Sequence, residues 1–287
     1  MIKTYIGRTV IWFRGLLTAA LLLLAVNAFS QELADVHKLW KDADANVAGR
    51  HRSKVFVYVP EKAGENRPAV VIMPGGSYTY LGIKGEGHNV AKWFASKGFV
   101  AVVLRYRMGF YGARYPQQLE DYRLAMDYLK DNCQRFGIDT ARIGAVGFSA
   151  GGHLAGCAAM EDNPHFRANF VAMIYPVITM RDPLVHKPSR KHLLRGNSSL
   201  IAKLSLEENV TEEFPPVFLL HCEDDPVVNP AASHIFASEL EKLGVNCKVE
   251  FHSKGGHGFG IAPVKKSGAL LWQERFVEWL EKTVFNQ

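Results

Sequence analysis

The sequence predicts an α/β fold, with a mostly parallel central sheet and helices on both faces, on three observations. Short apolar runs of strand length alternate with segments of helical spacing from Lys54 to the end of the chain. A glycine-flanked serine, Gly147-Phe148-Ser149-Ala150-Gly151, joins one such run to a small-residue segment. An acidic turn and a glycine-wrapped histidine then follow in that order, each after a further apolar run.

The strand-like runs are Val55–Val59, Ala69–Met73, Phe99–Leu104, Arg142–Val146, Phe170–Tyr175, Val217–His221 and Cys247–Phe251. Helical spacing places Tyr122, Ala125, Met126, Leu129 and Cys133 on one face, and Trp272, Phe276, Trp279 and Leu280 on another. Both stripes read as core-facing sides of amphipathic helices. Strands alternating with helices in this way form a parallel sheet covered on both sides.

Arg142–Val146 is a short buried strand, and Gly152 to Met160 opens a helix of small residues. A G-x-S-x-G link between them is the strained strand-to-helix turn that lifts a serine hydroxyl clear of the sheet. It sets that hydroxyl beside the backbone N–H groups of the helix N-terminus. Glycines flank it because a Cβ would strike the neighbouring strand and helix.

This architecture delivers its catalytic groups in the chain order serine, acid, histidine. The strand in Pro216–Val228 runs into Glu223-Asp224-Asp225, where an acid would sit at the strand's C-terminal end. After a helix and one more strand comes Lys254-Gly255-Gly256-His257-Gly258-Phe259-Gly260, a histidine in a loop that can reach the serine. Upstream, Ala69–Met73 leads into Pro74-Gly75-Gly76-Ser77-Tyr78. The glycine pair lets backbone N–H groups of Gly76 and Gly75 face a carbonyl oxygen together with that of Ala150. Such an oxyanion hole contributes about 10²–10³ in rate per donor.

At the N-terminus, Lys3, Arg8 and Arg14 precede an apolar stretch, Leu16 to Val26, and Ala28-Phe29-Ser30 has the small residues of a cleavage site. Residues 1–30 are therefore expected to be a signal peptide and 31–287 a single domain, exported to the periplasm or outside. The apolar stretch is short for a membrane span, so no stable membrane association is expected after cleavage. Removing three positive charges lowers the formal net charge from +6 to +3. No basic helix or aromatic-interleaved basic strip accompanies it, which argues against nucleic acid as a partner. Cys133, Cys157, Cys222 and Cys247 are too few for a disulfide framework in a chain this long and read as small apolar residues.

Pro176 to Phe214 breaks the rhythm as an insertion without strand pattern, carrying Arg181, His186, Lys187, Arg190, Lys191, His192 and Arg195. Its place after a late strand makes it a candidate cap over the site, against the plainer alternative of a solvated surface loop. No histidine pair has metal-ligand spacing on a helix, so the chemistry calls for no metal and no cofactor.

Taken together, Pro74-Gly75-Gly76-Ser77-Tyr78, Arg105-Tyr106-Arg107, Gly147 to Leu154, Asp224-Asp225-Pro226-Val227-Val228 and Gly255 to Gly260 resemble the α/β-hydrolases. The similarity is to the bacterial esterase group of acetyl-xylan- and feruloyl-esterase-like proteins, related to the hormone-sensitive-lipase family, and it spans about Lys54 to Leu280. It implies an α/β-hydrolase fold and a serine esterase, with Ser149 as nucleophile and His257 as base. It also implies a small-molecule or oligosaccharide ester as substrate, most plainly an acetyl or feruloyl group on a xylan-type sugar. Both aspartates of the turn fit the family's D-x-x-V spacing. Asp224 is expected to be the triad acid, being nearer the strand end and matching the first aspartate of the paired turn. Arg105, Tyr106, Arg107, Pro116 and Asp121 are expected to brace the loops near the site. Many relatives have a third glycine or a leading histidine in the oxyanion loop, where this chain has Ser77 and Pro74. A peptidase of the prolyl type shares the triad order but carries a large second domain. A non-catalytic binder would normally have lost triad residues.

Overall fold

The structure, a computed structural model, describes residues 33–40, 50–262 and 268–286. The expected signal peptide lies outside the described residues. One sheet of eight strands runs through the molecule: β1 (Leu33–Lys38), β2 (Lys54–Tyr58), β3 (Arg67–Met73), β4 (Val100–Arg105), β5 (Ile138–Phe148), β6 (Val171–Ile174), β7 (Val217–Cys222) and β8 (Cys247–His252). Their spatial order is β1-β2-β4-β3-β5-β6-β7-β8. From β4 to β8 every pair is parallel, while β1 and β2 are antiparallel additions at one edge.

Strands β2 to β7 alternate between two cores. In β3, Val71 and Met73 face one layer with Tyr122, Met126 and Leu154, whereas Val70 and Ile72 face the other with Phe94, Trp272 and Phe276. The first layer is covered by the helices Gln117–Asp131, Ala150–Ala159 and Pro230–Lys242, and the second by Asn89–Ser96 and Trp272–Trp279. Both aromatic stripes of the sequence are thus core faces, and burial on both sides explains why the central strands are continuously apolar.

Seven strands coincide with runs legible in the sequence. The eighth, β1, was not expected. Its residues are mostly exposed, so it has no apolar period; main-chain pairing to β2 holds it, together with the Tyr128 hydroxyl bond to Asp35 at 2.7 Å and the His37 ring stacked on Tyr128.

The 176–214 insertion is packed, not loose. It carries the helix Lys187–Leu194 and the short helix Leu200–Lys203, and buries Val177, Ile178, Met180, Leu193, Leu194, Leu204 and Leu206. Several of its cations are paired: Arg181 with Glu208, Arg190 with Asp182, and Arg195 with the Gly109 carbonyl.

Arg107 and Asp121 form a fully buried ion pair at 2.9 Å, joined by a Trp40 indole bond of 2.7 Å to the same carboxylate. The Tyr106 hydroxyl donates to the Pro74 carbonyl at 2.7 Å. Tyr106 thus braces the segment after β3, while the Arg107–Asp121 pair ties the chain after β4 to the helix Gln117–Asp131. All four cysteines are free.

Candidate active site

Ser149 follows β5 directly and sits at φ 53°, ψ −118°. That is a sparsely populated conformation for a residue with a side chain, and it marks a strained turn. The flanking glycines make the turn possible. A Cβ on Gly147 would lie 2.1 Å from the Gly151 carbonyl oxygen, and one on Gly151 would lie 2.0 Å from that of Met73. The turn is thus pressed against β3 and tied to β6, since the Ser149 N–H donates to the Ile174 carbonyl at 3.0 Å.

The Ser149 hydroxyl lies 2.9 Å from His257 Nε2, and His257 Nδ1 lies 2.6 Å from Asp225 Oδ2. A carboxylate only accepts, so Nδ1 carries the proton and Nε2 accepts from the serine. The Asp225 carboxylate is fully buried and held by four donors. Its Oδ1 accepts from the Val227 and Val228 N–H groups at 2.8 and 3.0 Å, and its Oδ2 also accepts from His221 Nε2 at 3.0 Å. Burial by itself would raise this carboxyl. Bonds from His221, His257 and the Val228 amide outweigh it and hold the group well below the ordinary carboxylate range.

The expected acid, Asp224, does not face the imidazole. It is one-third exposed, accepts from the Gly256 N–H at 2.9 Å, and lies 3.8 Å from Lys254 Nζ. The reason is the turn itself. The Asp225 carboxylate folds back on the Val227 and Val228 amides, which aims it at the site, while its neighbour points outward to the histidine loop. Being nearer the strand end was the wrong criterion.

His221 was missed as well. It lies fully buried on β7, with Nδ1 accepting from the Ser233 hydroxyl at 2.7 Å. One polar residue in the run Val217–His221 was the available signal, because a buried imidazole must find partners.

Of the expected oxyanion donors, Gly75 is otherwise engaged. Its N–H donates to Glu86 Oε2 at 2.8 Å, so it is withdrawn from the cleft. The Gly76 and Ala150 amides donate to no group among the described residues, and Gly76 and Ser149 line one cleft of about 530 Å³. Its other walls include Ser77, Tyr80, Leu81, Ile83, Val227, His257 and Gly258. No described residue of the 176–214 insertion is among its walls. The segment still touches the site: the Val177 N–H donates to the Ser149 carbonyl at 3.1 Å, and His186 lies near enough to feel the charges of His257 and Asp225, though burial is the main cause that lowers its own pKa.

Tyr78 and His153 support the site from beneath. His153 Nε2 donates to the Leu204 carbonyl at 2.7 Å, and its Nδ1 accepts from the Tyr78 hydroxyl at 2.8 Å. Both side chains are fully buried, which removes Tyr78 from contact with substrate.

A serine on a strand-to-helix elbow, in an eight-stranded, mostly parallel sheet covered on both faces, defines an esterase-like α/β-hydrolase. The chain belongs to the BD-FAE family, whose model matches residues 56–240. It is similar to the acetylxylan esterase of Xylanibacter ruminicola, at 27% identity over 93% of this chain and 55% of that protein. It is also similar to endo-1,4-beta-xylanase B of Butyrivibrio fibrisolvens, at 28% identity over 78% of this chain and 38% of that protein. The chain therefore spans about half, or less, of these curated relatives. Among solved structures, the acetyl ester-xyloside bifunctional hydrolase of Caldicellulosiruptor lactoaceticus superposes with a TM-score of 0.78. It has 29% identity and covers 88% of this chain and 97% of that one.

Proposed function

We propose that this protein hydrolyses carboxylic esters through Ser149, His257 and Asp225, and that its substrates carry short acyl groups, foremost acetyl, on xylan-type sugars. The observation that carries the reading is the continuous chain from Ser149 Oγ to His257 at 2.9 Å and on to Asp225 at 2.6 Å. Ser149 Oγ attacks the ester carbonyl carbon as its proton passes to His257 Nε2. The carbonyl π electrons move onto oxygen, and the Gly76 and Ala150 N–H groups receive that oxyanion. When the intermediate collapses, His257 returns the proton to the departing alcohol. Water then repeats the sequence on the acyl-enzyme and frees the acid. Asp225 keeps Nδ1 protonated and stabilises the imidazolium of each step.

Two further observations support the substrate class. The similar proteins include an acetylxylan esterase and an acetyl ester-xyloside hydrolase. The cleft is walled by five glycines and by polar side chains including Ser77, Lys84 and Glu86, with Tyr80, Leu81, Ile83 and Val227 as its apolar contacts. None of the insertion's cations lines the cleft, and several are paired within the protein. The basic n-region and Leu16–Val26 support export as part of the same proposal. N-terminal sequencing of protein recovered outside the cytoplasm tests this, with Gln31 expected as the first residue.

The deciding experiment is hydrolysis of p-nitrophenyl acetate and acetylated xylo-oligosaccharides by the intact protein and by Ser149→Ala. The variant should lose on the order of 10⁴ or more in kcat. Retention of more than a few per cent of turnover would remove Ser149 from the chemistry.

A further inference from the structure

Glu86 is a buried carboxylate inside the catalytic cleft that the reaction above does not use. It stands in the π-helical turn Ile83–His88, and each of its oxygens has one donor. Oε2 accepts from the Gly75 N–H at 2.8 Å, and Oε1 accepts from the Tyr175 hydroxyl at 2.8 Å. Gly75 is also fixed at its other end, since its carbonyl accepts from the Gly82 N–H at 2.9 Å. The peptide that follows Gly75 carries the Gly76 N–H.

Tyr175 continues the connection. It is fully buried just beyond β6, and its backbone is held at φ 40°, an outlier for a bulky residue. Its hydroxyl accepts from the Gly260 N–H at 2.9 Å, and the Gly260 carbonyl accepts from the Trp272 indole at 2.8 Å. Its ring lies 4.6 Å, centroid to centroid, from both His257 and Phe259. One carboxylate therefore joins the oxyanion loop to the loop that bears the histidine. Burial raises the Glu86 carboxyl, while Tyr175, the Gly75 amide and the nearby His257 act against that rise.

We propose that Glu86 is a positioning residue: it fixes the Gly75–Gly76 peptide so that the Gly76 N–H points at the reacting carbonyl oxygen, and through Tyr175 and Gly260 it registers that peptide against His257. The inference rests on the ester-hydrolase reading given above. A bond that only orients an oxyanion donor acts on the transition state and not on substrate binding. Glu86→Ala should therefore lower kcat about 10²-fold with KM within about threefold, the scale of one lost oxyanion donor.

The test measures kcat and KM on p-nitrophenyl acetate and the inhibition constant of an alkyl boronic acid, which becomes tetrahedral on Ser149. Concentrations are corrected by end-point phosphonate titration, so that misfolded protein is not counted. The boronate should weaken in proportion to kcat/KM, a readout that a merely structural role would leave unmoved. Glu86→Asp keeps the charge but is one methylene short of spanning both partners. It should lose about tenfold in kcat with the same weakening, and it carries the test if the alanine variant does not fold. Wild-type kcat and boronate affinity in both variants, or a loss confined to KM, would overturn the inference. Ser149→Ala runs alongside: activity surviving there defeats the assignment of Ser149 as nucleophile on which this inference rests, whereas its loss there with Glu86 variants unaffected defeats only this proposal.

Discussion

Asp225 Oδ2 lies 2.6 Å from His257 Nδ1 and 3.0 Å from His221 Nε2, so a single carboxylate oxygen serves two imidazoles. With Oδ1 occupied by two backbone amides, the carboxylate cannot rotate without breaking several bonds. It is an orienting group fixed by the fold. The β7 turn thus fixes the acceptor toward which the His257 Nδ1 points.

Replacing each turn aspartate by asparagine should separate them. Asp225→Asn should lose on the order of 10⁴ in kcat, because the amide can donate to Nδ1 and favour the wrong imidazole tautomer. Asp224→Asn should stay within a few-fold of wild type, since an amide oxygen still accepts from the Gly256 N–H. Parallel kcat measurements at pH 7.5 check this; a larger loss at position 224 would reverse the assignment.

Acyl-chain preference follows from the cleft. Each methylene buried in an apolar slot contributes about 0.8 kcal/mol, but the described walls offer few apolar contacts beyond Leu81, Ile83 and Val227. Across p-nitrophenyl esters from acetate to palmitate, kcat/KM should fall beyond about four carbons. A maximum at eight carbons or longer would point to a lipase-like enzyme instead.

His153 should make stability depend on pH in the mildly acidic range. Burial pushes its imidazole down to about 4 from 6.5. As pH falls, the unfolded chain takes up this proton before the native state does. The stabilisation is therefore complete above about pH 6.5, declines from there to pH 4, and is gone below, roughly 3 kcal/mol in all. Urea unfolding of the wild type and of His153→Gln between pH 7 and pH 4.5 measures it. The variant should show the shallower pH dependence, and equal slopes would exclude His153 as the source.

The Arg107–Asp121 pair is buried on both sides, with neither side chain exposed. Asp121→Ala strands the guanidinium, leaving Glu120 as its remaining carboxylate partner at 2.8 Å. Breaking a buried pair from one side costs about 3–5 kcal/mol. Chemical unfolding should register a loss of that order, and one below about 1 kcal/mol would show that Glu120 suffices.

What the sequence determined by itself was everything that local patterning encodes. Seven strands were legible because burial on both faces makes them apolar runs, and the serine turn was legible because only glycine fits two residues to either side of Ser149. The positions of His257, Gly76 and Ala150 followed from chain order. The tertiary structure alone decided between Asp224 and Asp225, adjacent residues with the same spacing to a valine, whose directions depend on which one folds back onto the Val227 and Val228 amides. It also decided that the Gly75 amide turns to Glu86, a contact across eleven positions that leaves no periodic trace. The edge strand Leu33–Lys38 was hidden for a related reason: main-chain pairing holds it, and main-chain groups are the same in every residue. Side-chain pattern records which face a residue buries, whereas hydrogen bonds between distant loops depend on where the whole chain places their ends.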